Sequence, residues 1–447
     1  MSVSIAVTDP NWKFSPYNWA TVSTAKVAVA GGAYFKLGFT GTSCSIGLDV
    51  SSLVTGGVSA GWYPSLRYSV DNGPQTDVQL NSSTTALAVS GLASGSHTIE
   101  VWYLRGWWEN IGGTAPDRWT TPVYCIKVTG ATIDTGASSV APTWLGNSLI
   151  WFGDSISEGI RAENSDVQPG CQNAYESAPA FIAQAMGCEL GNCSYGGMNY
   201  AAGFNSIPAF LTHYSSVFNG QSRLSAGVLS PDPAYVCIWL GANGSPSSTD
   251  VQTAIGNMRT IAPSARICVI VAIGGVGRST VTAGVAAYLA ANTSERRVHL
   301  VDLGASWDVG LGSFGGASKQ GIDNLHPRSN WNARIAAALV QKIASLGTLP
   351  ATSRTVTLTL YNDDGTTPAA SISGLKWSFW DSPTTDGINT PPSSVGVGAS
   401  TNGSGVVSLT VNTTLGSGGV GRLDVDNGDG TVTQTPFRGF SGSVAVS

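Results

Sequence analysis

Charge is what this chain has least of. Asp, Glu, Lys and Arg make up 11% of 447 residues, against roughly 25% for an average soluble protein. The 22 basic and 27 acidic residues leave a net charge of -5. A nucleic-acid partner or an anionic membrane surface needs clustered Lys and Arg, and none is present. Long apolar runs are also missing. Ile267 to Ile273 is among the longest, and Gly274-Gly275 follows it. A bilayer span needs about 20 residues, so no membrane insertion is expected. The first residues have neither a basic n-region nor a long apolar h-region, so no secretory signal is legible. No CxxC and no Cys/His cluster occurs among the seven cysteines, which argues against zinc. Cys44 with Cys125, or Cys171 with Cys188 or Cys193, are pairs that an oxidising compartment would allow. The odd count favours buried free thiols. No coiled-coil heptads are present.

Glycine, by contrast, is abundant at 56 residues, without a G-X-Y period. Hydrophobic content of 42% allows a large core and excludes general disorder. Three segments follow from the patterning. Residues 1–145 alternate apolar and polar, as in Ala33-Tyr-Phe-Lys-Leu-Gly-Phe and His97-Thr-Ile-Glu-Val-Trp-Tyr-Leu. Turn signals separate these runs, which predicts an antiparallel β-sandwich or jelly roll. Over 146–349 short apolar strands alternate with helical stretches. Strands are expected at 148–152, 188–190, 235–240, 267–273 and 298–301, and helices near 174–186, 250–261, 280–292 and 330–346. That order predicts a parallel α/β sheet. Residues 350–447 turn β again, which reads as a small sandwich.

The first strand of the middle segment runs into Gly153-Asp154-Ser155. In an open parallel sheet, ligands gather at the carboxyl ends of strands. Three further blocks follow in order, each after a predicted strand or before the last helix: Gly196-Gly197, Gly241-Ala242-Asn243-Gly244 and Asp323-Asn324-Leu325-His326-Pro327. Their order and spacing resemble the SGNH, or GDSL-type, hydrolases over roughly residues 147–347. The resemblance implies a flavodoxin-like sheet and ester hydrolysis through an acyl-serine, with no metal or organic cofactor. It places the four named positions at Ser155, Gly197, Asn243 and His326.

The chemistry fits those positions. A serine hydroxyl needs a base, and His326 is the candidate. Asp323, three residues earlier, would fix the histidine tautomer. Asp302 is the alternative acid. The backbone N–H groups of Ser155 and Gly197 and the side-chain amide of Asn243 would hold the oxyanion. Competing readings remain for each: Ser155 as a helix cap, Gly196 in place of Gly197, and Asn243 and Asp323 as turn residues. The third block departs from the family pattern, since Gly244 stands where an Asp is usual. Arg161, in the stretch after the first block, is a candidate substrate contact.

Eight of the 14 tryptophans precede residue 145. Neighbours on a strand face opposite sides, so Trp107 and Trp108 cannot both fill one core in extended geometry. One of them is a candidate sugar platform; core or interdomain packing is the competing reading. A β domain before an SGNH domain resembles carbohydrate esterase family 2. The C-terminal segment, rich in Gly, Ser and Thr, resembles accessory domains of phage tail proteins. The expected function is a serine esterase removing short acyl groups, O-acetyl first, from a polysaccharide. A virion (phage tail) or extracellular setting is expected, with other tail proteins or a homotrimer as partners in the first case. The alternatives are a longer-chain lipase or thioesterase, and a non-catalytic glycan-binding tail-fibre or adhesin module.

Overall fold

The structure is a computed structural model. It describes residues 2–55, 63–105, 119, 125–163, 172–203, 207–304 and 325–346, and then seven strands between Thr352 and Ala445. The chain gathers into two compact units. The first comprises Met1–Phe181 and Glu189–Leu339, and the second Ile182–Cys188 and Val340–Ser447.

Two six-stranded sheets form from residues 3–140. One runs Ala20–Val22, Ala25–Ala28, Ile126–Ile133, Cys44–Leu48, Ala86–Val89, with Val3–Ile5 added to Ile126–Ile133. The other runs Ser139–Val140, Tyr34–Gly41, Gly95–Arg105, Ser65–Val70, Thr76–Gln79, with Trp12–Phe14 added to Tyr34–Gly41. All pairings are antiparallel. The period of two decides what each face carries. Phe35, Leu37 and Phe39 point inward with Ile99, Val101 and Tyr103, their neighbours on the adjacent strand, and join Ile46 and Val128 in one core. Tyr34, Lys36, Glu100 and Trp102 take the opposite face.

That outer face meets the α/β part of the same unit. Tyr34 Oη donates to Glu189 and accepts from the Leu190 N–H at 3.1 Å. Lys36 lies 3.5 Å from Glu189. Trp102 stacks on Tyr34 at 4.3 Å and meets the edge of Tyr175 at 5.1 Å. Arg67 pairs with Asp77 at 2.7 Å and reaches Glu176 at 3.1 Å. Trp102 therefore serves packing within the unit. Trp107 and Trp108 lie outside the described residues.

The middle segment holds a five-stranded sheet in the order Cys188–Asn192, Asn147–Gly153, Tyr235–Trp239, Arg266–Ile270, Val298–Val301. Consecutive pairs from Asn147–Gly153 to Val298–Val301 are parallel. Strands covered on both faces read as unbroken apolar runs. Accordingly Leu149 to Phe152, Val236 to Ile238 and Ile267 to Ile270 are all fully or almost fully buried. The expected helices form at Ala178–Met186, Ser248–Ile261, Arg278–Ala291 and Ser329–Ser345. Ser248–Ile261 begins with a capping box, in which Ser247 and Asp250 satisfy each other's N–H groups. None of the six described cysteines is in a disulfide and all six are buried, while Cys171 lies outside the described residues. The strands after Thr352 form a three-stranded and a four-stranded sheet.

Candidate active site

The first three blocks all follow carboxyl ends of parallel-sheet strands. Asn147–Gly153 delivers Ser155, Cys188–Asn192 delivers Gly196 and Gly197, and Tyr235–Trp239 delivers Asn243. After Gly153 the chain closes a compact turn, with Glu158 N–H on Asp154 O at 3.0 Å and Ile160 N–H on Ser155 O at 3.1 Å. Ser155 lies almost buried inside it. Its side chain and its backbone N–H make no hydrogen bond to a described residue.

Asp154 ties this turn to the third block. Its carboxylate accepts the Ile156 N–H at 3.0 Å, and the Ala242 N–H, one residue before Asn243, lies near enough to favour its charged form. Burial pushes the Asp154 carboxyl up to about 7, against the pull of these N–H donors, and the nearby Glu158 charge adds to the rise.

The second block is a tight turn. Met198 N–H bonds Tyr195 O at 3.0 Å, and Gly197 has φ +86°. These are the marks of a type II turn, whose third position needs glycine. Tyr195 N–H is taken by Gly153 O at 3.1 Å, and Gly196 N–H by Glu158 Oε2 at 2.9 Å. Only the Gly197 N–H is uncommitted among the four from Tyr195 to Met198. The Gly196 N–H is thus committed to Glu158, and the Gly197 N–H is left available. The Asn243 side-chain amide donates to Met198 O at 3.2 Å, which brings the second and third blocks together. An amide carries two N–H donors, so one remains.

His326 is buried at 3% exposure, just ahead of the helix Ser329–Ser345. Its loop is fastened to the segment that follows the first block, because Ser329 N–H and Oγ both reach Ala162 O, at 3.1 and 3.2 Å. Asn332 Nδ2 closes the loop on Pro327 O at 3.2 Å. Asp323 lies outside the described residues. Asp302 is held by Arg278 through two bonds of 2.8 and 2.9 Å and also accepts the Gly304 N–H.

Gly244 has φ +131°, and a Cβ there would lie 3.1 Å from Asn199 Nδ2. An aspartate would be strained at this position. Arg161 is half-buried in a left-handed conformation, φ +58°, at the end of the Ser155 turn.

The remaining histidines have other employments. His97 bonds Asp71 at 2.6 Å and Ala93 O at 2.7 Å, His213 packs edge-on against Trp119, and His299 sits on its strand. Among the described residues no group of three His, Cys, Asp or Glu side chains is placed to hold a metal ion, and no helix is long and apolar enough to cross a membrane. Sequence reasoning missed Glu158, a buried carboxylate between the first two blocks. The pattern Ser-Glu-Gly at 157–159 gives no sign that this residue is buried.

Residues 20–111 match the model "Carbohydrate esterase 2 N-terminal". Among solved structures, a family two carbohydrate esterase from Cellvibrio japonicus superposes with TM-score 0.60 at 15% identity, covering 77% of this chain and 98% of that one. A family two carbohydrate esterase from Clostridium thermocellum, solved with cellohexaose, gives TM-score 0.56 at 19% identity, covering 75% and 98%. An acetyl xylan esterase from Butyrivibrio proteoclasticus gives 0.58 at 13%, covering 77% and 98%. No curated protein matches the chain by sequence. The N-terminal part of the chain is similar to the family 2 N-terminal domain, and its fold over about three quarters of its length is that of solved carbohydrate esterases.

Proposed function

We propose that the protein is a serine esterase that removes short acyl groups, O-acetyl first, from a polysaccharide. The observation that carries this reading is that hydrogen bonds hold the segments of the first three blocks together, with the backbone N–H groups of Ser155 and Gly197 uncommitted among the described residues. The sheet order 2-1-3-4-5 is that of flavodoxin-like folds, whose ligands sit beyond the strand ends where Ser155 lies. The similarity to carbohydrate esterases supports a polysaccharide substrate, and the acetyl xylan esterase supports acetyl as the leaving acyl group.

The steps follow from the residues. Ser155 Oγ attacks the ester carbonyl while His326 takes its proton. Asp323 orients the imidazole. The oxyanion is received by the N–H groups of Ser155 and Gly197 and the amide of Asn243. His326 then protonates the leaving sugar hydroxyl, and water activated by the same base releases the acid. Hydrogen bonds of this kind tighten when substrate is bound, so the absence of one on Ser155 is compatible with the role. The catalytic segment runs from 146 to 349, between the sandwich of 1–145 and the β segment of 350–447. The chain-wide scarcity of charge supports a setting outside the cell or on a virion.

The test is turnover of p-nitrophenyl acetate and of an acetylated xylan by the wild type and by Ser155→Ala. The variant is expected to lose roughly 10⁴-fold or more in kcat. Equal rates in the two proteins would refute the reading. A rate that rises with acyl chain length would make the enzyme a lipase or thioesterase. Glycan binding without turnover would make it a binding module.

A further inference from the structure

Glu158 is an expensive residue in its position. Its carboxylate is 2% exposed, and it stands three residues after Ser155 in the same turn. A buried carboxylate is costly unless it is hydrogen-bonded, so what it holds matters. Glu158 Oε2 accepts the N–H of Gly196 at 2.9 Å. Its Oε1 side is closed by the loop between the sandwich strands Ala25–Ala28 and Tyr34–Gly41, where a Cβ on Gly31 would lie 3.5 Å from Oε1 and Cγ.

The turn it holds has two glycines at its centre. Glycine populates both signs of φ with similar ease. The peptide between Gly196 and Gly197 can therefore flip at little cost, and a flip would turn the Gly197 N–H away. The Met198 N–H bond to Tyr195 survives such a flip, so the aim of the Gly197 N–H depends on how the whole turn is seated, and two bonds seat it: Tyr195 N–H on Gly153 and Gly196 N–H on Glu158. Only the last comes from a side chain, and it comes from the segment that carries Ser155. It fixes the distance between the nucleophile's turn and the donor's turn.

We propose that Glu158 is a positioning residue, which sets the Gly197 N–H for the oxyanion by gripping the neighbouring Gly196 N–H. This rests on the esterase reading above. The grip depends on the reach of an acceptor atom rather than on its charge. Glu158→Gln keeps the reach and removes the charge. Glu158→Asp keeps the charge and, being one methylene shorter, withdraws the acceptor.

The expected result with p-nitrophenyl acetate is a kcat for Glu158→Gln within about threefold of wild type. For Glu158→Asp and Glu158→Ala, kcat falls by about 10- to 100-fold with KM within about twofold, somewhat less than the loss of an oxyanion donor itself. Affinity for a boronic acid, which mimics the tetrahedral intermediate, falls in step with kcat. A role confined to folding would not make activity follow reach or divide kcat from KM. If Glu158→Ala does not fold, the Gln and Asp variants decide. Activity that follows charge, with Asp good and Gln poor, would overturn the proposal. So would a Ser155-dependent rate that Glu158→Asp leaves unchanged, with the esterase reading intact. Equal rates for wild type and Ser155→Ala would overturn the esterase reading and this inference with it.

Discussion

Asp154 makes the protein's stability depend on pH in an unusual direction. Its carboxyl is raised to about 7 by burial, while an unfolded chain titrates it near its ordinary value of 3.8. Between these two values the folded protein keeps a proton that the unfolded chain has released. Stability therefore falls as pH rises through this window and levels off above about 7. The full displacement is worth about 4 kcal/mol. Asp154→Asn fixes the side chain in a neutral form while retaining an oxygen for the Ile156 and Ala242 N–H groups. The variant should gain on the wild type by about 3 kcal/mol between pH 5 and pH 8. Urea unfolding followed by circular dichroism at several pH values measures this. His97, which Asp71 raises, and His213 and His299, which burial lowers, titrate in both proteins and cancel in the difference. A difference that stays flat with pH would show that Asp154 titrates normally. A difference that moves in the wild type's favour would show a carboxylate that the site stabilises in its charged form. Either result refutes the reasoning.

Two further substitutions test the third block. Asn243→Ala should lower kcat by about 10²- to 10³-fold in an esterase assay with little change in KM, since it removes a donor that acts on the developing oxyanion. Gly244→Asp introduces the residue usual at this place in the hydrolases that the sequence resembles, yet it should destabilise the fold by about 1–3 kcal/mol, read as a lower urea midpoint, because φ of +131° does not suit a side chain.

Much of the architecture was legible because burial leaves a plain signature. The strands of the parallel sheet are covered on both faces, so each reads as an apolar run, and their carboxyl ends mark where chemistry can sit. The helices at 248–261 and 278–291 fall within two residues of where the sequence puts them. The site was legible to the level of blocks but not of atoms. The preference for Gly197 over Gly196 rested on the resemblance alone, and the structure adds that the Gly196 N–H is held by Glu158. Glu158 itself was invisible, because a lone glutamate after a serine reads as a solvated side chain. The docking of the sandwich was also hidden. Tyr34, Lys36 and Trp102 occupy the half of the alternation that ordinarily faces water, and only the fold shows that Glu189 and Tyr175 cover them.

That docking gives the β-sandwich a part in the site. Asn18, from the sandwich segment, donates to Asn192 O at 2.6 Å at the end of the strand that leads to Gly197. Asn192 in turn donates to Ser157 O at 3.3 Å and accepts from Ser194 N–H and Oγ at 3.3 and 2.6 Å. One buried asparagine thus joins the sandwich, the turn of Ser155 and the approach to Gly197. Nearby, Arg223 donates to Tyr17 O at 3.0 Å and also to Cys193 and to Ser216 O. Tyr17 Oη donates to Pro231 O at 2.6 Å. Buried polar networks of this kind are costly when a partner is lost and restrictive when all are present. A chain this poor in charge has few ion pairs with which to fix one part against another. Beside the pairs Lys36–Glu189 and Arg67–Glu176 it uses amides, hydroxyls and backbone carbonyls, which connect the sandwich to the turns that carry Ser155 and Gly197. Through Asn18 and Asn192 the sandwich segment is bonded to the turns that carry Ser155 and Gly197, and those turns owe part of their geometry to it.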